Sequence, residues 1–273
     1  MPFAVSIAIL GLVQAVLVAL PVPRPLPPWL ARLRSRWWAL APALSIVVVV
    51  GGIELYSDSA TGLAWLALVA VPPLAAYALA TLIRRDRVDP RIWRAHTVSR
   101  NTSPGWLVSV LVVAAFFALS WVTSSSLVGE AAAIALSGLA CITLGWLLVA
   151  AVPARWLRWS VYAMAAIDAI YVSADLLQGP NAVLTNAAPA ANLPVLQAVH
   201  FGSARMGFGD LFVAALVGCL LASDRRNQLQ AALLVAALAL CFDLLFFAVD
   251  TLPATVPVAV ALAVVSRRSS AQL

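Results

Sequence analysis

Long apolar runs, each near the length of a bilayer crossing, recur along the chain between short polar stretches. A membrane-spanning helix needs ~20 apolar residues, with a range of roughly 17–25. On that measure the pattern predicts nine spans, at about 3–20, 38–55, 61–83, 104–122, 127–150, 156–176, 203–222, 228–249 and 251–266. None is long enough to cross twice, and neither an internal repeat nor a separate soluble domain interrupts them. The prediction is an all-α polytopic membrane protein forming one membrane domain. Within it, residues 1–155 carry spans 1–5 and residues 156–273 carry spans 6–9. The opening run MPFAVSIAILGLVQAVLVAL has no basic leader and no clear small-residue cleavage site. It reads as a retained first span rather than a signal peptide.

Composition agrees. The chain is 63% hydrophobic and 10% charged, with mean hydropathy +0.99. A soluble domain of this length lacks the interior for so much apolar side chain, so the remainder faces lipid. All 17 basic residues are arginine, a usage that, with the richness in Ala, Val, Leu and Pro, fits a high-GC bacterial genome. The net charge of +6 could suggest a nucleic-acid partner, but the arginines alternate with apolar spans. Arginines follow spans 1, 3, 5, 7 and 9, so that 16 of 17 fall on one side and Arg205 alone falls on the other. By the positive-inside rule the N-terminus is outside and the C-terminus cytoplasmic, in a multi-pass protein of the bacterial cell membrane. Trp37, Trp38, Trp156 and Trp159 flank spans on the arginine side, as interfacial anchors do. Three scattered cysteines and two distant histidines predict neither a disulfide framework nor a metal site, and no cofactor is expected.

Most acidic residues lie in loops or near span ends. Asp168 in span 6, Asp210 in span 7 and Asp243 in span 8 are deep, and each costs ~2.5–3.5 kcal/mol on insertion scales. Counting from Arg155 and Arg225, Asp168 and Asp210 lie roughly 20–22 Å from the arginine face on consecutive antiparallel helices. Two carboxylates at matched depth could share one proton, the chemistry of an aspartic protease. The ionised member takes a proton from water while the protonated member polarises the scissile carbonyl. The alternatives are that these aspartates cap or hydrogen-bond neighbouring helices, or line an ion path.

Local sequence then matters. "GFGD" at 207–210, comprising Gly207, Phe208, Gly209 and Asp210, fits a Gly-x-Gly-Asp signature. "IDAIYV" at 167–172 places Val172 four residues after Asp168, and "TLPATVPVAVAL" at 251–262 contains Pro253, Ala254 and Thr255. Together, in this order, these words resemble the motifs of the presenilin and signal peptide peptidase superfamily of intramembrane aspartyl proteases. The resemblance implies a presenilin-like fold of nine helices with spans 6–9 as the catalytic bundle. It implies Asp168 and Asp210 as the catalytic dyad, with Gly207, Phe208, Gly209, Pro253, Ala254, Thr255 and Val172 positioning the motifs or the substrate. It also implies transmembrane peptide substrates, of type II orientation or signal-peptide-like, and no obligatory subunits. Glycines before the aspartate let another backbone approach and permit a bent helix start. Departures are Ile167 where the family carries tyrosine, with Tyr171 or Tyr162 as substitutes at non-matching positions, and Thr255 where it carries leucine. The stretch NLPVLQAV at 192–199 can supply a strand for an unwound substrate or serve as an ordinary surface loop. His200 and Arg205, on the outer side, suit headgroup or loop contacts. Asp243 suits a helix–helix hydrogen bond or a water contact.

Two other readings use the same aspartates. A prepilin-peptidase-like protease also pairs an aspartate with Gly-x-Gly-Asp, but usually carries a basic residue two positions later, where this chain has Phe212. A transporter or channel would use Asp168, Asp210 and Asp243 as a proton or cation relay, against which the missing inverted repeat argues.

Overall fold

The computed structural model describes residues 2–23, 35–42, 44, 58–83, 105–174, 183, 193–247 and 252–270. Eight α-helices account for most of them: α1 (Phe3–Ala19), α2 (Asp58–Ile83), α3 (Gly105–Val122), α4 (Leu127–Ala151), α5 (Ala154–Ser173), α6 (Phe208–Leu221), α7 (Arg225–Asp243) and α8 (Val256–Ser270). Short 3₁₀ turns occupy Arg36–Ala39 and Leu244–Phe247. Most of predicted span 2 and its neighbouring arginines, like most of the loop after α5, lie outside the described residues.

Helix α4 is central. It packs against α2, α3 and α6, while α1 packs against α6 and α7, and α8 against α7 and α5. Small residues allow the closest of these approaches. A Cβ at Gly218 of α6 would stand 2.6 Å from the carbonyl oxygens of Leu17 and Val18 in α1, and one at Gly145 of α4 2.9 Å from the Cys219 sulfur. Helices pack this tightly in lipid because contact between backbones replaces the hydrophobic drive that water supplies elsewhere.

Three described helical stretches, Ala60–Ile83, Gly105–Val122 and Leu127–Ala151, are long and apolar enough to cross a membrane. The first two keep most of their surface outside the protein core, with Leu66, Val69, Leu111 and Val122 all more than 60% exposed. The described helix ends also sort with charge. Ser35 N–H donates to Ala151 O, and Arg225 donates to Ala19 O, which gathers the Arg36, Arg155 and Arg225 segments at one end. Arg36 and Arg155 lie over the rings of Trp37 and Trp156, 5.3 and 5.7 Å from the centroids. Arg205 is at the other end, where Ser203 N–H reaches Ser6 Oγ near the start of α1.

Several expected boundaries change. The chain is not wholly helical: Ala198–Phe201 (β1) and Ala204–Gly207 (β2) form an antiparallel hairpin with Val199 opposite Met206 and His200 opposite Arg205. Its turn is Gly202–Ser203, and Gly202 has φ 60°, which glycine reaches without strain. Predicted span 7 therefore starts as strand, and its helix covers only 14 residues, ~21 Å at 1.5 Å per residue, against a bilayer core of ~30 Å. Span 9 likewise becomes helical only at Val256. Asp243 does not sit within a continuous span: it is the last residue of α7, where the helix tightens into the 3₁₀ turn. A hydropathy window averages over these breaks, because the polar residues in them are few and the flanking runs are apolar.

Candidate functional site

The two shortened helices begin at the site. Gly207 ends β2 and precedes α6, so Asp210 stands in the first turn rather than about two turns in. Its Oδ2 accepts from the Gly207 N–H at 3.1 Å, a bond that satisfies one of the orphan donors every helix start leaves. Both glycines of the motif differ from expectation in detail. Gly207 has φ −70° and ψ 153°, which any residue adopts. Its missing Cβ matters because one would stand 3.3 Å from Asp210 Oδ2, crowding the folded-back carboxyl. Above Gly209 no described atom lies within 4 Å of a Cβ, and the residue is exposed.

Asp168 sits in the C-terminal half of α5 and is half-buried. Its Oδ2 accepts twice from Thr255, from the hydroxyl at 2.6 Å and from the backbone N–H at 3.3 Å. Thr255 is buried and stands immediately before α8, its carbonyl already accepting from Ala259 N–H at 3.1 Å. Asp168 is thus held at the N-terminus of α8 as Asp210 is held at that of α6. Both carboxyls face the positive end of a helix dipole, which favours negative charge in an apolar setting. Helix α6 contacts both α5 and α8, so the two held carboxyls stand on neighbouring helices.

Pro253 and Ala254 are half-buried beside this contact. The backbone that Pro253 frees from helical pairing finds partners: Pro253 O accepts from Val256 N–H at 3.2 Å, and Ala254 O from Gln14 Nε2 of α1 at 3.2 Å. Phe208 is half-buried against the core and its carbonyl accepts from the Cys141 thiol, with the sulfur 3.9 Å away. Val172 lies one turn beyond Asp168 and is half-buried. Tyr162 does not take the place of a tyrosine at position 167. It lines a cavity near the arginine end with Ala263, Ser266 and Arg267. No hydrogen bond joins Tyr171 to either aspartate among the described residues. Asp243 Oδ2 has no hydrogen-bond partner among the described residues and lies near Gly11 of α1.

Several supporting residues are not apparent from motifs. Along α4, Glu130 accepts from Gly202 N–H at 2.7 Å and Ser137 donates to Leu196 O at 3.2 Å. With Cys141 they hold the whole approach from 196 to 208 against one helix. Their spacing of seven and then four residues is one face of a helix. That periodicity of polar residues in an apolar span is the available sequence signal. Gln14 and Ser6, eight apart on α1, carry the same signal.

The hairpin, the turn between α3 and α4 and residues 193–195 enclose a cleft of about 520 Å³ lined by Glu130, His200 and Arg205. Burial and the Arg205 guanidinium hold the His200 imidazole below its ordinary value, the Glu130 carboxylate acting in the opposite sense. A histidine whose protonation is disfavoured in the folded state contributes fully above the free value of ~6.5 and loses that contribution as pH falls below it. The thermal midpoint of the wild type should therefore fall more between pH 7 and pH 5.5 than that of His200→Gln. Equal pH slopes in the two proteins would remove His200 as the cause.

No family model, curated protein or solved structure matches this chain. The functional reading accordingly rests on the residues and their geometry.

Proposed function

We propose that this protein is an intramembrane aspartyl protease of the presenilin and signal peptide peptidase kind, hydrolysing peptide bonds within transmembrane segments. The observation that carries the reading is that Asp168 and Asp210, on contacting helices, are each held at a helix N-terminus, Asp168 by Thr255 of the Pro-Ala-Thr element. Three motifs, separated by up to about 90 residues in sequence, lie on or at the start of helices α5, α6 and α8, which contact one another. Backbone at membrane depth that is neither helix nor closed sheet is tolerated where protein groups satisfy it, and the starts of α6 and α8 have such partners in Asp210 and Asp168.

The chemistry follows from two carboxyls sharing one proton. The ionised carboxylate takes a proton from water as the water oxygen bonds to the peptide carbonyl carbon. The protonated carboxyl gives its proton to the carbonyl oxygen, forming a gem-diol. The first carboxyl then passes its proton to the amide nitrogen, the C–N bond breaks, and the second recovers a proton from the gem-diol. The sum is one water consumed and one acid and one amine formed. No metal or cofactor enters. With the N-terminus outside and the C-terminus inside the bacterial cell membrane, substrates would be type II-oriented or signal-peptide-like spans, engaged without further subunits.

The test is cleavage of a single-span reporter by the purified protein in liposomes, with products mapped by mass spectrometry. Scission within the reporter's span is expected. Proton-coupled uptake without scission would favour a relay through the same aspartates and sink this proposal. Gly209 supplies a second check. Gly209→Ala should leave the fold intact, with helix propensity gaining up to ~1 kcal/mol. The same change should raise KM several-fold if a substrate backbone approaches the open space above α6. An unchanged KM would place the substrate elsewhere.

A further inference from the structure

Resting on that protease reading, we infer that Thr255 is the positioning residue that makes Asp168 the base of the pair, leaving Asp210 as the proton-holding member. Residue 255 is thereby an internal support of the dyad and not a contact for substrate.

The geometry separates the two aspartates. Asp168 Oδ2 receives two donors from one residue, whereas Asp210 Oδ2 receives one backbone donor, from Gly207. The hydroxyl contact of 2.6 Å lies in the range of ~2.5–2.7 Å typical of a hydroxyl donating to a charged carboxylate. Donors to the charged form of an acid favour that form. Both bonds fall on one oxygen, so Oδ1 of Asp168 is left to take a proton from water. The support is itself braced. Thr255 is buried, and the preceding carbonyl of Ala254 is held by Gln14 of α1, whose side chain is also buried. A leucine at this position would keep the backbone donor and lose the shorter, side-chain one. Thr255 shows 3% of its surface, too little for a substrate to touch.

The experiment compares wild type, Thr255→Ser, Thr255→Val and Asp168→Asn in the liposome assay, with kcat and KM measured separately and thermal midpoints recorded. Thr255→Val is nearly isosteric, so it removes the hydroxyl with little change in volume. Losing a hydrogen bond to a charged group in the reacting state is expected to lower kcat by about 10- to 100-fold, with KM within about twofold. Thr255→Ser restores the donor and should return kcat to within about threefold of wild type. Full activity in Thr255→Val, with Asp168→Asn inactive, would overturn the positioning role while leaving the dyad in place. A rise in KM alone would overturn it as well, by making Thr255 a substrate contact. If Thr255→Val fails to fold, the serine variant decides: loss of kcat at a wild-type thermal midpoint overturns the inference. A wild type that cuts no reporter overturns the protease reading itself.

Discussion

Asp168→Asn and Asp210→Asn should each lower reporter cleavage by ~10²–10⁴-fold, the usual span for loss of an acid–base group, while the protein stays folded. Asparagine is the informative substitution because both aspartates also have local structural partners. An amide oxygen at position 210 still accepts from Gly207 N–H, and one at 168 still accepts from Thr255. What asparagine cannot do is take a proton from water or share one with its neighbour. Alanine at either position removes both functions at once. A purely structural role predicts the opposite ordering: the asparagine variants would behave as wild type, and only the alanine variants would lose stability. Cleavage at more than a tenth of the wild-type rate in either asparagine variant would rule out the dyad.

The largest effect on stability is expected at Gln228, far from the aspartates. Its side chain is fully buried, and Nε2 lies 3.0, 2.8 and 3.1 Å from the carbonyl oxygens of Val18, Pro21 and Gly218. Those carbonyls lie in the last turns of α1 and α6 or just beyond, where helices leave acceptors unpaired. Arg225 completes the arrangement by donating to Ala19 O and, at 2.8 Å, to Gln228 Oε1, its charge suited to the negative end of α1. One glutamine therefore joins the ends of three helices, α1, α6 and α7. Gln228→Leu keeps the volume and removes the donor, and should cost roughly 2–4 kcal/mol. The lower limit allows for partners that the inserted, unfolded chain finds in the membrane. Unfolding in detergent, followed by thermal midpoint or denaturant titration, measures this. A loss below about 0.5 kcal/mol would mean that water or a neighbouring side chain takes over the carbonyls.

Helices α3 and α4 match their predicted limits to within a residue, because their apolar runs are continuous and end in turn residues such as Thr123–Ser126. Helix α5 starts at Ala154 and α7 at Arg225, two and three residues ahead of the apolar windows. The added residues are polar or interfacial, and hydropathy does not count them although hydrogen bonding does. The hairpin at 198–207 was harder to see. Its residues, AVHFGSARMG, include a Gly-Ser turn, yet the strands are too short and too apolar to stand out beside a predicted span. The aspartates were visible because carboxylates in apolar runs need a reason, and Pro253 and Thr255 because they fell within a recognisable word. The polar face of α4 and the Gln14 contact are encoded only as the spacing of single polar residues within apolar runs, which hydropathy averages away.

By itself the sequence determined composition, the spacing of apolar runs, and where the arginines and aspartates fall among them. Each is a one-dimensional property, since hydropathy and charge sum along the chain whatever it packs against. Tertiary structure decided where apolar segments stop being helices, because a break is tolerated only where a neighbour supplies the missing hydrogen bonds. Gln14 does so for Ala254, Glu130 for Gly202, and Gln228 for three carbonyls of α1, α6 and the turn after α1. It also decided which carboxylate meets which helix end, placing Asp168 of α5 at the start of α8 instead of leaving it to a matched-depth estimate. That pairing depends on contacts across 87 residues of chain, and no local pattern encodes it.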